Sequence, residues 1–68
     1  MLLDVVLEQE TDGRWLAAVE AVPGALAYGA TRDEAVARVE ALVLRVLADR
    51  LEHGELAGLN LSVTFNAA

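Results

Sequence analysis

Hydrophobic and polar residues alternate at the start of the chain. Every second residue from Leu3 to Leu7 is apolar within the segment Leu2 to Glu10, a period of two that is typical of a β-strand. The segment Thr11 to Gly13 favours a tight turn, because Gly tolerates a positive φ and Asp can bond to its own backbone. A second apolar run follows from Arg14 to Val22, so the pattern predicts a β-hairpin.

The second predicted strand is apolar on both of its faces. Trp15, Ala17 and Val19 would lie on one side, opposite Leu16, Ala18 and Glu20, so both sides are largely apolar. A strand with a single covered face needs apolar residues on that face alone. A single core therefore does not explain the second apolar side. Pro23-Gly24 then predicts a turn, and the segment from Ala25 to Ala30 predicts a short third strand.

A capping box marks the start of a helix. The Thr31 hydroxyl is placed to accept a hydrogen bond from the Glu34 amide, and the Glu34 carboxylate to accept one from the Thr31 amide. The pattern that follows predicts a helix from about Arg32 to Glu52, with His53-Gly54 as its stop.

Three faces of this helix can be separated at about 100° per residue. The predicted core stripe consists of Val36, Val39, Val43, Val46 and Leu47, with Leu42 at its border. The polar face carries two predicted ion pairs at i,i+4 spacing, Glu34–Arg38 and Arg45–Asp49. The third sector lies roughly opposite the core stripe and is formed by Ala37, Ala41, Leu44, Ala48 and Leu51. Because a monomer normally places charges there, we predict an oligomer interface at these five residues; alternatively, Ala serves there only as a good helix former.

The last part of the chain alternates again. Leu59 to Phe65 places its apolar residues on one face and predicts a half-buried strand. The predicted order is βββαβ. We therefore expect a single α+β domain over residues 1–68, with two layers, one helix against an antiparallel-leaning sheet.

Composition narrows the classes of function. Five basic residues, all Arg, stand against eleven acidic ones, and a net charge of −6 makes nucleic-acid binding by this chain alone unexpected. The absence of Cys excludes a disulfide scaffold, a thiolate nucleophile and a Cys zinc site, and one His cannot anchor a multi-His site. We expect no metal and no cofactor.

With neither a signal peptide nor an apolar run of about 18 residues, we expect a cytoplasmic protein with no membrane partner.

The length of the chain predicts self-association. A protein of 68 residues buries only about 60% of its unfolded surface, while 56% of these residues are hydrophobic. Without disulfides or a metal, association is the remaining source of stability. We expect a homodimer or a higher oligomer.

No group of residues indicates a catalytic site. His53 is expected as an exposed cap at the helix end, and Ser62 lacks the Gly-x-Ser-x-Gly context of a hydrolase. Glu8, Glu10 and Asp12 are interpreted as a solvated edge rather than a metal or acid–base cluster. We expect no enzymatic activity.

Two aromatic residues, Trp15 and Tyr28, could stack on RNA bases as the aromatic residues of sheet-based RNA binders do. The negative charge argues against this, and Trp15 is expected in the core.

The segment from Trp15 to Ala35 resembles the signature of HicB-type proteins. In that family a hairpin ends in a Pro-Gly turn, a short strand ends in Gly, and a Thr-x-x-Glu-Ala helix start follows. Pro23-Gly24, Gly29 and Thr31-Arg-Asp-Glu-Ala35 match in order and spacing, and the resemblance covers roughly residues 2–52. Ala25 stands where many relatives carry Cys.

The resemblance implies a partial RNase-H-like domain without the carboxylate active site, acting as the antitoxin half of a toxin–antitoxin pair. Its partner would be a small basic HicA-type toxin, an mRNA-cleaving enzyme whose catalytic surface it masks. The usual C-terminal DNA-binding domain of full-length antitoxins does not follow the last strand, so operator binding is not expected. An orphan HicB-like oligomer with a structural or regulatory role and no toxin is the alternative, and an RNase-H-like nuclease is a third, disfavoured one.

Overall fold

The computed structural model describes residues 1–56 and 61–67, which form one four-stranded sheet and one helix. The elements are β1 (Leu2–Gln9), β2 (Trp15–Ala18), β3 (Leu26–Gly29), α1 (Arg32–Glu52) and β4 (Thr64–Ala67). The strand order is β3-β2-β1-β4. β2 runs antiparallel to both β1 and β3, whereas β4 is parallel to β1. The predicted α+β fold with the order βββαβ is confirmed, in a mixed sheet.

The core lies between α1 and one face of the sheet and consists of small aliphatic side chains. Its largest fully buried members are Val19, Val39 and Val43. The full set of buried hydrophobic residues is Leu3, Val5, Ala17, Val19, Val22, Ala25, Ala35, Val39, Val43 and Leu47. Trp15, which was expected in the core, is half-buried and packs against its border.

The buried face of α1 differs in part from the predicted core stripe. Ala35, Val39, Val43 and Leu47 are buried at successive i,i+4 positions, which form one ridge of the helix. Val36 and Val46 flank this ridge and are only partly buried, like Leu42. The prediction missed Ala35, because its small side chain contributes little to a hydrophobic pattern, although the sheet approaches α1 most closely there.

Both ends of α1 are capped, but the predicted capping box forms only in part, because the Glu34 carboxylate binds Arg38 instead of the Thr31 amide. The Glu34 amide donates to the Thr31 hydroxyl at 3.1 Å. The Glu34 carboxylate pairs with the Arg38 guanidinium at 2.8 Å, which confirms one predicted ion pair. At the C-terminus, the His53 amide donates to the Asp49 carbonyl at 3.1 Å, and Gly54 follows with a positive φ of 69°.

The predicted ion pair between Arg45 and Asp49 is wrong. The Asp49 carboxylate lies instead beside the imidazole of His53, with Oδ1 at 3.4 Å from Nδ1. The same i,i+4 spacing thus joins Asp49 to the next turn of the helix rather than to the preceding one.

Two predicted strands are shorter in the structure. β2 ends at Ala18 rather than Val22, and β3 spans Leu26–Gly29 rather than Ala25–Ala30. Between them the chain turns twice, because the carbonyls of Val19 and Val22 accept hydrogen bonds from the amides three residues ahead. Those carbonyls are therefore satisfied locally.

The last strand begins later than predicted. Leu59 and Asn60 lie outside the described residues, and the strand spans Thr64–Ala67 rather than ending at Phe65. Its pairing with β1 starts at Leu2 opposite Thr64, where β1 itself begins. Leu61 consequently lies outside the ladder and is exposed, while Val63 and Phe65 pack against the core.

Gly29 at the end of β3 allows the sheet to approach the start of α1. A Cβ atom at this position would lie 2.9 Å from the Ala35 Cα and closer still to the Ala35 backbone nitrogen. Real Cβ atoms do not approach backbone atoms this closely, so a larger residue would push the helix away from the sheet.

Gly29→Ala is therefore expected to destabilise the fold by about 3 kcal/mol, at the upper end of the usual cost of overpacking. The matched control is Gly13→Ala, where the added Cβ meets nothing within 4 Å but φ is 94°; it should cost about 1–2 kcal/mol. Chemical denaturation at one protein concentration measures both. Equal losses of stability would contradict the close approach of β3 and α1.

Candidate functional site

The five residues predicted as an interface lie together on the surface. Ala37, Ala41, Leu44, Ala48 and Leu51, which we name the outer helix face, are all exposed on the side of α1 that points away from the sheet. Leu44, at its centre, is 50% exposed. No structural finding assigns a binding partner to this face, so its role as an interface stays a prediction.

A shallow groove of about 410 Å³ follows the N-terminal half of the outer helix face. It is lined by Arg32, Asp33, Val36, Ala37, Glu40, Ala41 and Leu44. Ala37 and Ala41 are among these residues, and a methyl side chain allows another chain to approach the helix backbone closely. The groove suits a protein side chain better than a deeply enclosed small molecule, because it is wide open to solvent.

A second apolar surface lies on the face of the sheet that α1 does not cover. The register places Val6, Ala18 and Leu26 side by side across three strands. Leu16 and Tyr28 form the neighbouring row. We name these five residues the open sheet face. Its exposure accounts for the second apolar side of β2, which a single core leaves unexplained.

The open sheet face has a polar and mostly acidic rim. On one side, the Asn66 amide donates to the Asp4 carboxylate at 3.1 Å across the β1–β4 pair. On the same strand as Asp4, Glu8 is exposed in the row of Leu16 and Tyr28. An apolar centre with a polar rim is the usual anatomy of a protein-binding surface.

Arg14 connects this rim to the first turn. Its guanidinium lies 4.8 Å from the centre of the Tyr28 ring, a cation–π contact that orients the ring. The same guanidinium donates to the Asp12 carboxylate at 2.8 Å. Tyr28 is thus held at the surface, and 40% of it is exposed.

Asp12 is an exposed turn residue, as predicted, and its charge is stabilised there. A hydrogen bond from the Arg14 backbone amide, 3.0 Å long, is the main cause that lowers the pKa of Asp12 below its ordinary value. The Arg14 guanidinium lowers it further. Glu8 is exposed and Glu10 is half-buried along the same hairpin.

The end of α1 brings together three groups that are able to bind a cation. Ligand atoms of Asp49, His53 and Glu55 lie within 4.8 Å of one another, and all three residues are exposed. His53 already acts as the helix cap, with Nδ1 2.7 Å from the Asp49 carbonyl oxygen. His53 was expected only as an exposed cap, although its i,i+4 spacing from Asp49 is a signal in the sequence that places the two side chains together.

Ser62, the remaining candidate residue, has a structural contact through its backbone. The Ser62 carbonyl accepts a hydrogen bond of 2.6 Å from the amino group of Met1.

Among the described residues, α1 does not combine the length and the apolar character that crossing a bilayer would require.

An NMR titration of the Asp12 carboxyl is expected to give a midpoint below that of the same group in the unfolded chain. Because the folded-state pKa is the lower one, the carboxylate stabilises the fold above the unfolded-state pKa. This contribution is lost as the pH falls through the folded-state pKa. In Arg14→Ala the titration midpoint of Asp12 should rise only part of the way to its ordinary value, since the backbone amide of residue 14 still donates. A midpoint at or above the ordinary value in the parent protein would contradict this geometry.

Comparison with family models, with curated proteins and with solved structures finds no match to this chain. A function therefore has to be argued from the two apolar surfaces, from the charge of the chain and from the resemblance noted in its sequence.

Proposed function

We propose that this chain is a HicB-like antitoxin-type binding module that neutralises a small basic HicA-type toxin by covering its RNA-cleaving surface. It would act in the cytoplasm as a homodimer or higher oligomer. The observation that carries the proposal is the open sheet face, an apolar surface with an acidic rim on a chain of net charge −6.

The local structure over residues 2–52 supports the family resemblance. The hairpin, the turn at Pro23-Gly24, the close approach at Gly29 and the Thr31 cap occur in the order typical of HicB-type proteins. Each of these features has a physical role in placing α1 on the sheet.

The acidic rim supports a basic partner. Asp4 and Glu8 of β1 and Asp12 of the turn after it lie along one side of the open sheet face, with Arg14 as the basic residue among them. Opposite charges on two binding surfaces accelerate their encounter and disfavour other partners, while the apolar centre supplies most of the affinity. A toxin that binds RNA would present such a basic surface.

The outer helix face supports self-association on the opposite side of the molecule. The chain exposes 4587 Å², whereas a compact monomer of its mass exposes about 4,100 Å². A second copy on α1 would leave the open sheet face free for the toxin. The orphan alternative, an oligomer without a toxin, requires the outer helix face alone.

Co-expression with a HicA-type toxin from the same genome tests the proposal. We expect the chain to restore growth and to copurify with the toxin, and we expect the complex to weaken as salt concentration rises, because exposed charges are screened. Failure of both rescue and complex formation would overturn the antitoxin function.

A pair of matched variants separates the two surfaces. Leu26 and Leu44 have nearly equal exposures, 52% and 50%, on opposite sides of the molecule. Leu26→Arg should weaken toxin binding at least tenfold and leave self-association unchanged, because it places a positive charge on the open sheet face. Leu44→Arg should do the reverse.

Sedimentation velocity and calorimetric titration with the toxin measure these two effects. Circular dichroism of both variants verifies that the fold is intact, which is expected because both side chains are exposed. A monomeric parent protein at tens of micromolar would contradict the predicted oligomer.

A further inference from the structure

The outer helix face has the spacing of a coiled-coil seam. Its residues follow one another at intervals of four, three, four and three along α1. This repeat of 3.5 residues places Ala41 and Ala48 at a positions and Ala37, Leu44 and Leu51 at d positions. The face is thus shaped for one other helix that runs alongside α1 for two heptads.

Between Asp33 and Arg45 the flanking positions carry opposite charges. Asp33 and Glu40 occupy the g positions on one side of the seam, and Arg38 and Arg45 occupy the e positions on the other. Residues at e and g of two associated helices pair with each other and set their orientation. In a parallel pair, g of one heptad meets e of the next heptad on the other helix.

Three of these four charges, Asp33, Glu40 and Arg45, form no ion pair within the described part of the chain. Arg38 binds the Glu34 carboxylate and the Tyr28 carbonyl, so it is already engaged. Glu40 and Arg45, in contrast, form no ion pair among the described residues. They lie on opposite sides of the seam, five residues apart, and do not face each other on one helix.

We propose that two copies of this chain associate through α1 as a parallel helix pair, in which Glu40 binds the partner subunit's Arg45. Two-fold symmetry forms this ion pair twice. The inference rests only on the self-association part of the proposed function and needs no toxin.

The charges also discriminate between the two orientations. An antiparallel pair that packs Ala41 against the partner subunit's Leu44 would bring Arg38 next to the partner subunit's Arg45. Glu40 would then face Leu47 of the partner subunit instead of a basic residue. The parallel arrangement replaces this repulsion with two attractive contacts.

Charge reversal tests the proposed pairing. Glu40→Arg alone and Arg45→Glu alone should each raise the dimer Kd at least tenfold, because like charges then meet twice. An equimolar mixture of the two variants should form heterodimers about as tight as the parent dimer, since both pairs are restored. The double variant E40R/R45E in one chain should also dimerise like the parent.

The double variant is the matched control for folding, because it contains both substitutions. Sedimentation equilibrium measures Kd, and native mass spectrometry identifies the heterodimer. Single reversals that leave Kd unchanged would overturn the pairing, and so would a mixture that stays dissociated.

A crosslink tests the orientation independently. The chain contains no Cys, so a single introduced thiol has only its copy as partner. Ala41→Cys should form an intermolecular disulfide under mild oxidation, because equivalent a positions face each other in a parallel pair. An Ala41→Cys chain that stays reduced, while its mixture with a Leu44→Cys chain forms a crosslink, would show the antiparallel orientation and overturn the proposal.

These measurements are made on the purified chain alone. A toxin that fails to bind would leave their outcome unchanged. Conversely, a monomeric chain that still rescues growth would overturn the helix pair and keep the antitoxin function.

Discussion

The packing of α1 on one face of the sheet is the constraint on which the rest of the structure depends. The close approach of Ala35 to Gly29 places the start of the helix directly on β3. From there the ridge through Val39, Val43 and Leu47 covers the core. Each buried Val or Leu contributes about 1.5–3 kcal/mol, so a core of such small side chains has little stability in reserve. One helix also covers only one face, which leaves two apolar surfaces exposed on opposite sides.

The two exposed apolar surfaces differ in shape and in the charges around them. The outer helix face is narrow, follows a regular repeat and is flanked by charges of opposite sign. The open sheet face is broader, and Asp4 and Glu8 give it a negative rim. Because the two surfaces are separated by the full thickness of the molecule, occupation of one does not obstruct the other. Self-association through α1, as proposed, would therefore leave the open sheet face free for a different protein.

Local signals in the sequence were sufficient for the helix and for the order of the elements. The Thr31 cap and His53-Gly54 stop define α1 through interactions between residues close in sequence. The limits of β2 and β4 were not predictable in the same way. β2 ends where Val19 and Val22 turn back on local hydrogen bonds, and β4 starts where β1, more than 60 residues away, offers a pairing partner. The ion pair of Asp49 was misassigned because Arg45 and His53 are equally spaced from it.

The sequence by itself determined the βββαβ order, the limits of α1 and the exposure of the five residues of the outer helix face, because all of these follow from periodicity and from contacts between near neighbours. Only the tertiary structure decided which edge of the sheet β4 joins, which ridge of α1 is buried and that the apolar residues of three strands meet on one open face. These depend on register between distant segments. No local pattern specifies which residues lie beside a strand, because strand pairing depends on contacts between segments that are distant in sequence.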